Sequence, residues 1–124
     1  MSTITIAGNL AADPEHRTTH TGRDVTTFRV IENVRRRGED GWEDDEPNVY
    51  RVQAWGALGE HVAASCSTGD PVVVTGAMRT SRWTDKDTGQ DRTAPFVVAD
   101  EVGFSLRFHT VTASKAPRRE NAAD

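Results

Sequence analysis

Two tryptophans, Trp55 and Trp83, lie on strand-like segments of this chain, and arginines are spaced around both of them. Arginine supplies thirteen of the fifteen positive charges. A flat indole ring can stack on an unpaired base, and a guanidinium group can contact the phosphates next to that base. The combination of these residue types therefore predicts binding of single-stranded nucleic acid.

The alternation of side chains along a β-strand predicts which of these residues share a surface. In one strand Arg51, Gln53 and Trp55 point outward, and in the next strand Arg79 and Trp83 do so. The opposite faces hold the side chains predicted to fill an interior: Tyr50, Val52, Ala54, Val72, Val74, Gly76 and Met78. Because a large exposed indole is costly without a partner, the alternative interpretation is a subunit interface covering both tryptophans.

Further arginines lie in two loops. Arg35 begins a run of three arginines at the base of a long hairpin, where it could reach phosphates or belong to an ordinary solvated loop. Arg92 flanks a second loop together with Arg82 and Lys86, but acidic neighbours nearly cancel these charges. We therefore expect a smaller contribution from the second loop than from Arg79.

Length and charge limit the classes of function. A chain of 124 residues predicts one domain with one modest core. The net charge of -4 disfavours coating of duplex DNA through bulk positive charge. Six acidic residues lie within positions 39–46, and we interpret this run as a solvated hairpin tip rather than a partner-binding site.

Catalytic and metal-binding patterns are weak in this sequence. Cys66 is the only cysteine, so an internal disulfide and the usual zinc spacings are excluded. His16 and His20 have a spacing that would suit a metal on a helix, but turn-like sequence surrounds them. No glycine pattern frames a serine nucleophile. We expect no enzyme, no cofactor and no metal, and, without a signal peptide or an apolar membrane span, a soluble cytoplasmic protein.

Strand signals dominate the chain. Five runs of β-branched and apolar residues, bounded by turn residues, are predicted as strands: 2–10, 25–34, 48–55, 71–83 and 92–108. One helix is predicted over 57–67, with an apolar stripe at Leu58, Val62 and Cys66 and with Gly69 as its C-terminal cap. This order predicts an all-β fold, a five-stranded OB-fold barrel with one short helix between strands 3 and 4.

The composition changes near the C-terminus. After Ala113 the residues are small or charged, which predicts disorder. We therefore expect a binding domain over 1–110 and a short disordered tail over 111–124.

Several motifs resemble the bacterial single-stranded DNA-binding proteins. They are IAGNL (6–10), ADPE (12–15), FRV (28–30), YRVQAWG (50–56), TGAMRTSRW (75–83) and GQDR (89–92). DEVG (100–103) and SLRF (105–108) are similar to the actinobacterial branch. The resemblance implies a homotetramer that wraps single strands without sequence readout. It assigns base stacking to Trp55 and Trp83 and phosphate contacts to Arg51 and Arg79, and we add Arg29 to the DNA-binding set.

The sequence departs from the family pattern at three places. Val49 stands where a stacking tryptophan is common, and Val34 and Arg35 occupy the region of another, with Trp42 out at the hairpin tip. The family's long tail with an acidic, hydrophobic tip is absent. The resemblance is thus to a truncated form or a tail-less paralogue, which leaves recruitment of replication and repair proteins open.

The first strand predicts an oligomer interface. A β-branched, apolar strand leaves an edge that a second copy could cover. We expect Ile4 and Ile6 to be buried there, and the resemblance adds Tyr50 to the same region. A second contact, between two such dimers, would complete a D₂ tetramer.

The function predicted from these observations is non-enzymatic. The chain would coat and protect single-stranded DNA in replication, repair and recombination, associated with the nucleoid. The alternative is a primosomal-type OB-fold interaction module that acts mainly through protein partners. The missing tail and aromatics favour the alternative, whereas the pair Trp55 and Trp83 favours DNA binding.

Overall fold

The computed structural model describes residues 1–117, which form eight β-strands and one α-helix. The elements are β1 (Thr3–Leu10), β2 (Glu15–Thr18), β3 (Asp24–Glu32), β4 (Arg35–Gly38), β5 (Gly41–Asp44), β6 (Asn48–Trp55), α1 (Gly56–Ser65), β7 (Pro71–Thr84) and β8 (Asp91–Phe104). The predicted all-β character is confirmed, and the strand count and the helix bounds differ in detail. No helix of the described part is long and apolar enough to cross a membrane.

Five of the strands close into a ring, in the order β1, β7, β8, β6, β3 and back to β1. β1 reaches β3 through the pairs Asn9–Ile31 and Leu10–Val30. β6 and β8 run parallel and meet through only two pairs, Val52–Val97 and Gln53–Val98. The other neighbours in the ring are antiparallel and share longer ladders. A barrel results, with a narrow seam between β6 and β8.

The inward faces of these strands supply the core. It consists of Ile6, Leu10, Phe28, Val30, Val52, Ala54, Val62, Val72, Val74, Val97 and Ala99. The inward faces predicted for β6 and the first part of β7 are therefore correct. Burial of a valine-sized side chain stabilises the folded state by about 1.5–3 kcal/mol, so this set is the main source of stability.

The helix covers one end of the barrel and packs closely against it. Thr26 on β3 is fully buried, and its hydroxyl donates a hydrogen bond of 2.8 Å to the carbonyl of Gly59 in α1. A Cβ atom at Gly59 would lie 2.2 Å from the carbonyl oxygen of Ala54. Only glycine permits this approach, so Gly59 fixes how closely the helix packs on the barrel.

The end of the helix differs from the prediction. Gly69 does not cap α1, because the helix ends at Ser65 and Cys66 is already extended, with its N–H donating to the carbonyl of Val62. Gly69 adopts φ +86° inside a separate turn, in which the N–H of Asp70 donates to the carbonyl of Ser67. The Asp70 carboxylate accepts a hydrogen bond from the N–H of Ser67, which stabilises that turn instead of a longer helix.

The region predicted as a loop over 35–47 contains a second, two-stranded sheet. β4 and β5 pair from Arg35–Asp44 to Gly38–Gly41. β2 is another short strand that the prediction lacked, and it extends the main sheet beyond β3. Apart from Trp42 these strands carry no large apolar side chain, and nearly all their residues are exposed, so the apolar alternation used to find strands is missing from them.

The last strand is shorter than predicted. β8 ends at Phe104 rather than at residue 108, and residues 111–117 are exposed and form neither helix nor strand. Residues 118–124 of the predicted tail lie outside the described residues, and disorder over 111–124 stays a prediction.

Candidate nucleic-acid interface

Four side chains form a row across the outer face of the barrel. Arg29 on β3 is the direct partner of Arg51 on β6. The parallel register of β6 and β8 sets Phe96 beside Arg51, and Phe96 is in turn the partner of Arg79 on β7. An aromatic ring on β8 thus lies between cations on β6 and β7, with a third cation on β3, a combination suited to one base and its flanking phosphates.

A groove of about 380 Å³ runs along this face. Its lining includes Arg17, Arg29, Arg51, Gln53 and Phe96. Asp13 and Glu15 at the rim provide the opposing charge. Three arginines against two carboxylates leave the groove locally positive although the whole chain is acidic, and a positive groove attracts a phosphate backbone.

Phe96 and Arg17 belong to this surface and were absent from the sequence prediction. Phe96 is adjacent to the buried Val97, so the strand alternation that placed Arg51 outward also places Phe96 outward. The signal was therefore present on β8. Arg17 carries no such signal, because β2 is polar throughout.

Trp55 is covered on one face by an arginine that the sequence prediction did not include. The guanidinium carbon of Arg23 lies 4.4 Å from the centroid of the Trp55 ring. Such a cation–π contact contributes about 0.5–1 kcal/mol at exposed sites. A base that stacks on Trp55 must use the remaining surface of the half-buried ring or displace Arg23.

Trp83 lies far out on the β7–β8 ribbon and is 47% exposed. Its direct partner across the ribbon is Arg92, whose Nε lies 3.2 Å from Oδ2 of Asp85 in the connecting loop. The predicted indole is thus accessible to a ligand. The charge of Arg92 is partly compensated, as the acidic sequence around it suggested.

Arg35 is separated from the row and from the lining of the groove. It lies on the β4–β5 hairpin, where its Nε is 3.5 Å from Oδ1 of Asp44, and Arg36 contacts Glu43 at 3.4 Å. Both pairs are exposed, and such pairs contribute at most about 1 kcal/mol each. Two residues of the acidic run, Glu43 and Asp44, thus pair with neighbouring arginines. Trp42 on the same hairpin is 67% exposed.

The predicted interface residues point into the barrel. Ile6 is 2% exposed and belongs to the core, and Ile4 and Tyr50 are half-buried and pack against it. The expectation that a second copy would bury Ile6 is wrong, because the alternation of β1 turns its even-numbered residues inward. Thr5 and Ala7 are among the residues that β1 exposes on its outer face.

Two pKa shifts concern groups near the interface. Hydrogen bonds of 2.8 Å from the N–H and the hydroxyl of Thr68 lower the pKa of Asp13, at the rim of the groove. Burial, with the nearby charge of Asp70, raises the pKa of the Cys66 thiol. Cys66 is therefore a poor nucleophile at neutral pH, in keeping with a structural role.

Comparison with known proteins identifies the family of this chain. Residues 1–105 match the model of the single-strand binding protein family. The chain belongs to the single-strand binding protein family. Two relatives named single-stranded DNA-binding protein come from Mycolicibacterium smegmatis, at 39% identity over 94% of this chain and 72% of that protein, and from Mycobacterium leprae, at 40% identity over 94% and 70%.

A solved structure agrees with the family assignment. The small single-stranded DNA-binding protein from Streptomyces coelicolor superposes with a TM-score of 0.71 and 30% identity, over 85% of this chain and 94% of that one. The sequence resemblance to the actinobacterial branch of the single-strand binding proteins is thereby confirmed. The roles of individual residues in DNA binding stay predictions.

Proposed function

We propose that this protein is an OB-fold single-stranded DNA-binding protein that holds DNA without reading its sequence. The observation that carries the proposal is the row of Arg29, Arg51, Phe96 and Arg79 across four strands of the barrel. Family membership supports the same ligand. In the cell such a protein would associate with the nucleoid and protect exposed strands during replication, repair and recombination.

Base stacking supplies the attraction to unpaired bases. Phe96 lies at the centre of the surface, Trp55 at one end of β6, and Trp83 farther out on the ribbon. Each stacked base contributes about 1–3 kcal/mol regardless of its identity, because every base has an aromatic face. Duplex DNA hides these faces, so the surface selects single strands.

Phosphate contacts supply the remainder of the affinity and its dependence on salt. Arg29, Arg51 and Arg79 lie in the row, and Arg17 is within the adjoining groove. Gln53 in the groove is a neutral donor that adds a hydrogen bond without adding charge. We rank Arg35 and Arg92 below these residues, because both have carboxylate partners.

A homotetramer is the proposed assembly. One edge of β1 pairs with β7 from Thr3 to Asn9, whereas its other edge pairs with β3 only at Asn9 and Leu10. The backbone of residues 3–8 on that second edge has no strand partner within residues 1–117. An unpaired edge is a template for a second copy of the strand, and a further contact between dimers would give D₂ symmetry.

Titration with oligo-dT tests the binding proposal directly. Tryptophan fluorescence should fall as bases stack on Trp55 and Trp83. The double substitution Trp55→Ala and Trp83→Ala should remove most of the quenching and weaken binding by about 2–6 kcal/mol, since two stacked bases are lost per subunit. The matched control is Trp42→Ala on the hairpin, which should keep most of the affinity.

Three results would contradict the proposal. Equal affinity for single-stranded and duplex DNA would remove the role of stacking. Full affinity in the double variant would assign both indoles to contacts between subunits. The absence of any affinity for oligo-dT in the parent protein would favour a module that binds proteins.

A further inference from the structure

Three potential metal ligands from three different elements converge beside the helix-covered end of the barrel. His16 on β2, Asp24 on β3 and Glu60 on α1 each place one ligand atom so that all three atoms lie within 4.8 Å of one another. Nε2 of His16 is 3.8 Å from Oδ1 of Asp24. We propose that these side chains form a transition-metal site whose ligand set favours Zn²⁺.

The strand register explains why the ligands meet. His16 is the direct partner of Thr26, and Thr18 is the direct partner of Asp24. Side chains two residues apart share a face, so His16 and Asp24 are diagonal neighbours on one side of the β2–β3 pair. Thr26 shares that side and hydrogen-bonds to Gly59, the residue before Glu60. The helix therefore places Glu60 beside His16 and Asp24.

The surroundings hold two of the ligands in position. The hydroxyl of Thr18 donates a hydrogen bond of 2.8 Å to Oδ1 of Asp24. A hydrogen bond of this kind orients the ligating carboxylate in metal sites generally. The buried bond from Thr26 to Gly59 fixes the helix that carries Glu60. The ligand atoms thus belong to elements whose relative positions are set by the fold.

The donor set decides the class of ion. One imidazole nitrogen and two carboxylates form a three-ligand zinc site that leaves a fourth position for water. Mg²⁺ and Ca²⁺ prefer oxygen ligands only, so His16 selects against them. Bonds of about 2.0 Å place tetrahedral ligands roughly 3.3 Å apart, so the His16–Asp24 pair needs only a small side-chain rotation to bind the ion.

The spacing of histidines in the sequence pointed to a different pair. His20 follows His16 by four residues, but β2 ends at Thr18 and His20 lies in the turn before Arg23. His20 is not in the group of converging ligands. The partner of His16 is instead a carboxylate across the β2–β3 hairpin, a relation that only the strand register reveals.

Titration of the full chain, free of any affinity tag, with zinc chloride tests this site. Calorimetry should report one ion per chain, and excess zinc should raise the midpoint of thermal unfolding by several degrees, because the ion binds only the folded state. His16→Gln and Glu60→Gln should each weaken zinc binding at least tenfold. The matched control His20→Gln should bind as the parent does, and magnesium chloride should produce no shift.

Cobalt as a substitute for zinc separates this site from binding at Cys66. Co²⁺ held by nitrogen and oxygen should give visible ligand-field bands without a thiolate charge-transfer band. A thiolate band, an equal loss in His20→Gln, or unchanged zinc affinity in both ligand variants would overturn the proposal. So would a failure of zinc to bind the parent at micromolar concentrations. The test involves no DNA, so its outcome is independent of the proposed function.

Discussion

Phe96 occupies the centre of the outer face, with Arg51 on one side and Arg79 on the other. An aromatic side chain between two cations can hold a base while the phosphates on both sides are neutralised. Trp55 differs, because Arg23 already covers one of its faces. At the scale of single residues, Phe96 is therefore the proposed stacking position that has arginines on both sides.

Replacing Phe96 by alanine should weaken binding of oligo-dT by about 1–3 kcal/mol, the contribution of one stacked base. Phe108→Ala is the matched control, since Phe108 is 84% exposed and lies beyond β8. Affinities at one salt concentration, measured by fluorescence anisotropy, provide the comparison. If the two variants bind equally well, Phe96 has no part in stacking.

The arginines should differ in their effect on the salt dependence. Arg51→Ala should make the slope of log affinity against log salt shallower by about 0.7, the value for one phosphate contact on a single strand. Arg35→Ala should change the slope less, because Asp44 lies beside Arg35 on a separate hairpin. Titrations at several salt concentrations measure both slopes. A larger change in Arg35→Ala would place the DNA path over the hairpin.

Among the elements, the helix packs against the barrel through contacts with strict geometric requirements. The contact of α1 with the barrel depends on a buried hydrogen bond from Thr26 and on the missing side chain of Gly59. The turn after α1 is held in a different way, through the hydrogen bonds from Thr68 to Asp13. The first contact ties the helix to β3, which also carries Arg29, and the second ties the turn to the loop between β1 and β2.

Gly59→Ala should destabilise the folded protein strongly, because a Cβ atom there would collide with the carbonyl of Ala54. Thr26→Val should cost about 0.5–1.5 kcal/mol, since it removes the buried hydrogen bond from the Thr26 hydroxyl to the Gly59 carbonyl. Gly103→Ala is the control, because a Cβ atom at Gly103 meets no atom within 4 Å. The midpoints of unfolding in urea, measured at one protein concentration, rank the stabilities of the variants. Similar midpoints for Gly59→Ala and Gly103→Ala would contradict the packing argument.

The lowered pKa of Asp13 gives a direction for the effect of pH. A carboxyl whose folded-state pKa is depressed stabilises the fold above its unfolded value of about 3.9, and this contribution is lost as pH falls through the lower folded value. Asp13→Ala should therefore lower the unfolding midpoint at neutral pH, and the difference from the parent should shrink under acidic conditions. Thermal unfolding at several pH values measures this, and a difference independent of pH would contradict the assignment.

Local sequence patterns predicted the long strands of the barrel but not the short exposed strands. Alternation gave the inward faces of β6 and β7, because Val52 and Val74 are buried between neighbours that are less buried. It could not reveal β2 or the β4–β5 hairpin, whose side chains are solvated on both faces. The contacts of Arg23 with Trp55 and of His16 with Asp24 are pairings between elements, which spacing along the chain does not contain.

For the whole molecule, the unpaired edge of β1 is the feature on which the proposed assembly depends. Ile4 and Ile6 point inward, so lysine at either position would disrupt the core and could not report on a subunit contact. Thr5 is exposed and hydrogen-bonds to the side chain of Thr75 on the neighbouring strand. A substitution at Thr5 therefore alters the outer surface of β1 and leaves the core intact.

Thr5→Lys should dissociate the proposed tetramer, because symmetric pairing of β1 brings like charges close together. Affinity for long strands should fall more than affinity for short ones, since linked sites act through effective concentration. Thr110→Lys, in the exposed segment after β8, controls for the added charge. Light scattering gives the mass, and a parent protein that is monomeric at micromolar concentration would exclude the tetramer.

The seam between β6 and β8 has a consequence for the motions of the free protein. Two residue pairs close the barrel there, as few as between β1 and β3, so transient opening of the wall should cost little at this line. Arg51 and Phe96 stand on opposite sides of it. A DNA strand bound to both would hold the barrel shut, and amide exchange at Gln53 and Val98 should slow in the complex. The bound DNA would then link β6 to β8, two strands that the backbone joins through only two residue pairs.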